Sequence, residues 1–176
     1  MSFAFARARG LSVGTSKVEE EGVSVAAEAL KKAEDSSGRL VLPTDVVVAD
    51  ELAEDAAAWV VGADAIPDGW MGVDIGTATA KSYAEAVMSA GEVFWNGPMG
   101  VFEMAPFAEG TQAVAEAMAA CPGLTVVGGG DTVAAINKFS LADKMDHVSL
   151  GGGASLEFLE GADLPGVISL PEKEQA

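Results

Sequence analysis

The stretch TVVGGGDTVAAINKF, residues 125–139, decides how the chain is read. An apolar, β-branched run gives way to three glycines, and a helix-periodic run follows from Asp131. Strand, glycine turn and helix in so few residues are the mark of a strand–helix unit from a parallel sheet. Glycine loses more backbone entropy on folding than any other residue, so three together need a reason. Two stand open. Glycine permits a tight strand-to-helix turn, and it also lets an anion approach the free N–H groups of a helix N-terminus. The same device recurs at HVSLGGGASLEFLEG, 147–161.

Working outward, residues 124–127 and 147–150 read as strands, with helices over 131–139 and 153–160. Upstream, Pro106 suits a first helical turn, and Phe107, Thr111, Val114, Ala115 and Met118 mark the inner face of the helix that follows. Val93–Trp95 is a strand ended by Asn96-Gly97-Pro98. Met71–Ile75 is another, and after Gly76 a helix capped by Thr77 carries Ala80, Tyr83, Ala84 and Val87. From Met71 onward the alternation predicts an α/β fold, a Rossmann-like parallel sheet flanked by helices. The connections DIGT, NGPMGVFE, GGGDT and LGGGAS then all fall at the carboxyl edge of that sheet, where open parallel sheets bind ligands. Before Met71, short strands are expected at Leu40–Leu42, Val46–Val48 and Trp59–Val61. Ser16-Lys17-Val18-Glu19 has the capping-box pattern, predicting a helix over 17–35 with Val18, Val25, Ala26, Ala29, Leu30 and Ala33 on its inner face.

The 176 residues, 49% of them hydrophobic, suffice for one domain with a sizeable core, placed at 1–170 with a tail at 171–176. A formal charge of −17 argues against nucleic acid and against anionic membranes as partners. No apolar stretch approaches the length that crosses a bilayer. MSFAFARARG lacks the pattern of a secretory leader, so a cytoplasmic location is expected. The single cysteine, Cys121, allows no internal disulfide, and the one histidine, His147, has no metal-binding companion beside it.

Gly128-Gly129-Gly130 and Gly151-Gly152-Gly153 both precede helices, so each can cradle a phosphoryl group on backbone amides. Neither run matches G-x-G-x-x-G with a later acid, nor G-x-x-x-x-G-K-S/T. Asp131 either caps its helix or holds Mg²⁺ against a nucleotide's phosphates, since Mg²⁺ favours one or two carboxylates plus phosphate and water. Thr132 either contacts phosphate or caps. In NGPMGVFE, Asn96 can reach a phosphate, Gly97-Pro98 makes a turn, Val101 and Phe102 offer apolar surface, and Glu103 can accept hydrogen bonds from ribose hydroxyls.

These segments resemble phosphoglycerate kinase. FWNGPMGVFEMAPFAEGT (94–111), VVGGGDTVAA (126–135), DKMDHVSLGGGASLEFLEG (143–161) and LPGV (164–167) look like successive signatures of that family, in its order and spacing. VGTSKVEEE (13–21), LPTDVVVAD (42–50) and IPDGWMGVDIG (66–76) match as well, so the resemblance runs from Phe3 to about Leu170. The resemblance implies phosphoryl transfer between 1,3-bisphosphoglycerate and ADP, giving 3-phosphoglycerate and Mg-ATP, in a two-lobed enzyme of glycolysis. It implies Asp131 as the Mg²⁺ ligand, Thr132 and Asn96 at the phosphates with Pro98 in the same set, and Glu103 at the ribose. Gly72, Val73 and Val101 would line the adenine pocket, Gly128, Gly129 and Gly130 would sit under the nucleotide phosphates, and Gly151, Gly152 and Gly153 would offer amides to the transferring group.

Family members are more than twice this long. The resemblance covers only their latter part, an incomplete nucleotide-binding lobe. The phosphoglycerate-binding lobe with its basic cluster has no counterpart here, nor has the lysine-bearing segment that opens the nucleotide lobe. Leu150 stands where the family has threonine, and Thr77 replaces the proline of DIGP. Phosphoryl transfer is mostly positioning and charge stabilisation by cations, and Lys138 and Lys144 are the nearest lysines in sequence to the loops. The expectation is a chain that supplies the Mg-ADP/ATP subsite and is inactive alone, phosphoglycerate being reached only through the missing lobe or a separate chain that carries it. The alternative is a stand-alone or split-chain nucleotide-binding module without catalysis.

Overall fold

The computed structural model describes residues 1–169. Two helices open it, the short α1 (Ser2–Ala8) and the longer α2 (Glu20–Glu34), packed on each other. Three β-rich runs follow, β1 (Asp45–Ala49), β2 (Ala58–Gly62) and β3 (Met71–Ile75), forming an antiparallel sheet in the order β2-β1-β3. On one face Val46 and Val48 pack with Ile66, and on the other Ala49 packs with Val73 and Phe107. A second sheet is parallel, in the order β4-β5-β6: Glu92–Asn96, Leu124–Gly128 and His147–Ser149.

Helix α3 (Thr77–Met88) leads from one sheet to the other. A 3₁₀ turn holding Pro106 (Ala105–Phe107) precedes α4 (Glu109–Ala120), and α5 (Gly130–Lys138), α6 (Gly152–Leu159) and α7 (Pro165–Ile168) complete the chain. Trp95 and Val127 point from the parallel sheet into the main core, where they meet Ala80, Val114, Ala115, Met118 and Ile136 from the helices. The inner face expected of α4 is buried throughout, from Phe107 to Met118. Register then places the site: Asn96 pairs with Gly128, and Gly128 with Ser149, so the three strands end level and release their loops at one edge.

Several expectations are corrected. Strand β3 joins the antiparallel sheet, not the parallel one, so DIGT does not share an edge with the other glycine connections. Strand followed by helix specifies neither the strand's partner nor its direction. Residues Leu40–Leu42 form no strand. Helix α2 starts at Glu20, and the Ser16 hydroxyl instead accepts the Gly72 N–H at 2.8 Å, a bond to a residue far along the chain. Of the apolar face expected for α2 only Ala26 is buried, while Val25 is 66% exposed. Thr77 does not cap α3. That work falls to Asp45, whose carboxylate accepts the N–H groups of Ala78 (3.0 Å) and Thr79 (2.8 Å). Partial burial raises the Asp45 pKa, but its bonds from Thr79 and Ala78 outweigh this and hold it below the usual range. The tail assigned to 171–176 lies outside the described residues.

Candidate functional site

Gly128 closes β5 and Gly129 turns the chain with φ 90°, a conformation open to glycine at little cost. The Gly129 N–H donates to the Ser149 carbonyl at 3.2 Å, tying the first glycine loop to the end of β6. The second loop comes against the first. A Cβ on Gly152 would lie 2.6 Å from the Gly129 Cα, 2.8 Å from its nitrogen and 3.1 Å from the Asn96 Nδ2. One on Gly128 would meet the Phe94 ring at 2.7 Å. These glycines are there because backbones and an aromatic ring touch. Gly130 and Gly153 differ: nothing lies within 4 Å of a Cβ placed on either. The N-termini of α5 and α6 are thus held together by packing glycines and kept bare on their open side. Their first-turn N–H groups have no partner within the helix and carry partial positive charge.

The segment 96–103 runs from this edge toward β3. Gly97, at φ 96°, donates its N–H to the Thr132 hydroxyl at 2.7 Å, and the Trp95 Nε1 donates to the Gly97 carbonyl at 2.8 Å. The Met99 and Gly100 N–H groups both donate to the Thr111 hydroxyl at 3.1 Å, which fixes the loop just after Pro98. Val101 donates its N–H to the Val73 carbonyl at 2.9 Å, and the Lys138 Nζ donates to the carbonyls of Phe102 (2.7 Å) and Glu103 (2.9 Å). Asp74 sits behind, 4% exposed, accepting the N–H groups of Gly110 (2.7 Å) and Ile75 (2.8 Å). Burial pushes its carboxyl up to about 6, the two amides working against that and Glu109 adding to it.

Of the residues expected at a site, Asn96, Gly128–Thr132 and Gly151–Gly153 come together at the ends of β4, β5 and β6. Val73 and Val101 are joined through their backbones, and Phe102, Glu103 and α5 link that pair to the glycine loops. Three residues depart from expectation. Thr132 is 1% exposed with its hydroxyl turned to Gly97, so its side chain shapes the loop from within. Val73 is buried in the core, and the side-chain direction of Gly72 is filled by the Phe3 ring. Asp131 is exposed and does not cap its helix, Gly129 being the cap residue. Leu150 is 79% exposed beside Gly151. Lys138, Thr111 and Asp74 carry no sequence signal of their roles, because each acts on a backbone group 11 or more residues away, Ile75 apart.

An exposed carboxylate beside open helix N-termini fits Mg²⁺, which is held by few protein ligands and completed by phosphate and water. No group of three His, Cys, Asp or Glu side chains suited to a metal occurs among the described residues. The ion pairs among them are Arg7–Glu20 and Lys81–Glu85, and neither involves a loop residue. No helix among them is long and apolar enough to cross a membrane.

The phosphoglycerate kinase family model matches residues 1–162. The chain is 55% identical over 170 residues to the phosphoglycerate kinase of Roseiflexus sp. (strain RS-1), covering 97% of this chain and 43% of that protein. It is 54% identical over 175 residues to the cytosolic phosphoglycerate kinase 3 of Arabidopsis thaliana, covering 98% and 44%. The solved structure of phosphoglycerate kinase from Coxiella burnetii superposes with a TM-score of 0.90 at 46% identity, over 95% of this chain and 43% of that one. That from Pyrococcus horikoshii gives 0.78 at 31%, over 95% and 42%. The chain spans less than half the length of these relatives. By the extent of its match, and by loops that lie where its motifs place them, it belongs to the phosphoglycerate kinase family.

Proposed function

We propose that this chain carries the Mg-nucleotide subsite of a phosphoglycerate kinase and, by itself, binds ADP or ATP without turning over. The reaction served is transfer of a phosphoryl group between 1,3-bisphosphoglycerate and ADP. The observation that carries this reading is the contact of Gly152 on Gly129, which sets two bare helix N-termini side by side over Asn96. Amides of Gly130–Thr132 would take the nucleotide phosphates and those of Gly152 and Gly153 the group in transit, the Gly151 N–H being turned to the Ser149 hydroxyl at 3.3 Å. Asp131 would hold Mg²⁺, which when bound offsets phosphate charge. Val101 would flank the base, with Gly72 and the buried Val73 contributing through their backbone, Pro98 would stiffen the turn after Asn96, and Glu103 would accept the ribose hydroxyls.

A chain of formal charge −17, in which no ion pair among the described residues involves these loops, stabilises a transferring phosphoryl group poorly. The phosphoglycerate side of the reaction therefore belongs to a further lobe or to a separate chain, and the working compartment to the cytoplasm. Calorimetry with Mg-ADP tests the reading. Binding by the wild-type chain, weakened about tenfold or more in Asp131→Ala, supports it, and no binding by either removes it. A coupled kinase assay at family-like rates would refute the claim of inactivity alone.

A further inference from the structure

Lys138 does something that the glycine loops do not require. Its ammonium leaves the last turn of α5 and donates to two backbone carbonyls, those of Phe102 and Glu103. The chain has 27 acidic side chains, yet none of the ion pairs among the described residues involves Lys138. The Glu103 carboxylate is exposed and is likewise in no ion pair there. The lysine therefore fixes the backbone of Glu103 and leaves its carboxylate able to accept.

Helix α5 works as a strut along this loop. Near its start the Thr132 hydroxyl holds Gly97, in its middle Ala135 packs under Phe102, and at its end Lys138 holds the Phe102 and Glu103 carbonyls. Residues 132 and 138 are about 9 Å apart along a helix axis. That is the order of the reach from the terminal phosphate of a nucleoside diphosphate to its ribose diol. One rigid element thus sets both the phosphate-facing amides and the carboxylate at the far end.

We propose that Lys138 is a positioning residue: by clamping the Phe102 and Glu103 carbonyls it aims the Glu103 carboxylate at the ribose diol of a bound nucleoside diphosphate and sets the preference for ribose over dideoxyribose. This rests on the nucleotide reading above. A lysine suits the task because one compact charge with several donors satisfies two carbonyls at once, and a charge at the C-terminus of α5 is favoured by the helix dipole.

The test is calorimetry of ADP, 2′,3′-dideoxy-ADP and inorganic pyrophosphate, each with Mg²⁺, on the wild-type chain and on Lys138→Met, Lys138→Arg and Glu103→Gln. The wild type is expected to prefer ADP over dideoxy-ADP by about tenfold, the scale of a hydrogen bond to a charged group. Lys138→Met brings that ratio close to one, Glu103→Gln, whose amide oxygen accepts without the charge, lowers it by a few-fold, and both leave pyrophosphate affinity unchanged. Lys138→Arg, which keeps a charged donor, restores part of the preference. A merely structural lysine would lower all three affinities together and leave the ratio intact, and that result overturns the proposal. A wild type that binds ADP without preferring it to dideoxy-ADP overturns the proposal alone. Failure of the wild type to bind ADP overturns the nucleotide reading and this proposal with it.

Discussion

Gly152 and Gly130 separate the two reasons a chain has for placing glycines in such loops. At Gly152 a methyl group would press on the backbone of Gly129, which cannot rotate away as a side chain can. Gly152→Ala is expected to cost about 1–3 kcal/mol, the range for forcing atoms into a packed site, and to part the two helix N-termini. At Gly130 the same methyl group meets nothing within 4 Å. Gly130→Ala should leave stability unchanged or raise it by up to about 1 kcal/mol from helix propensity, while weakening Mg-ADP binding because the methyl enters the space left for phosphate. Urea unfolding and calorimetry on both variants check the pair. A stability loss at Gly130→Ala would assign that glycine to the turn, and an unchanged affinity would take it off the ligand.

At the scale of elements, what is legible in the sequence follows from local periodicity. The inner face of α4 is readable because Thr111, Val114, Ala115 and Met118 recur at helical spacing, and all four are buried. The loops of β4, β5 and β6 are readable because glycine and proline punctuate them where the strands end. Pairing is not readable in this way. Strand β3 looks like its parallel neighbours but bonds to β1, and Ser16 looks like a helix cap but bonds to Gly72, 56 residues away. Asp74 shows the same gap and has a measurable consequence. It ties β3 to the N-terminus of α4 through the Gly110 amide, and neither Gly100 nor Gly110 has room for a side chain against it. With its carboxyl raised to about 6, the folded chain holds this proton where the unfolded chain, near the ordinary carboxylate value, has lost it. Stability contributed by the protonated form is present below pH 4 and is lost as pH rises through 6. Between pH 5 and 7.5 the loss is about 1 kcal/mol. Asp74→Asn should remove that slope, read as the difference in urea midpoint between the two pH values for variant and wild type. Equal slopes in both would show that Asp74 titrates normally.

Over the whole molecule, incomplete coverage and net charge both weigh against the folded state. One face of the parallel sheet is sealed by Trp95 and Val127 against the helices, while Phe94 and Val126 on the other face line a groove with Phe158, Leu159 and Val167. Parallel sheets are ordinarily covered on both faces, so this half of the chain gains less from burial than its composition allows. In addition, 27 acidic residues face 10 basic ones, and the ion pairs among the described residues are exposed and weak contributors. Self-repulsion of the folded state should therefore be a substantial part of its free energy at low ionic strength. Raising NaCl from 0.01 M to 0.5 M shortens the screening length from about 30 Å to under 8 Å. The melting temperature is expected to rise by about 3–8 °C, corresponding to roughly 2 kcal/mol at this chain length. Most of that gain should come below 0.2 M, because screening saturates once the Debye length falls under the spacing of surface charges. A rise that instead continues in proportion to salt would point to strengthened apolar burial, and a melting temperature indifferent to salt would mean that the acids are spread too far apart to repel.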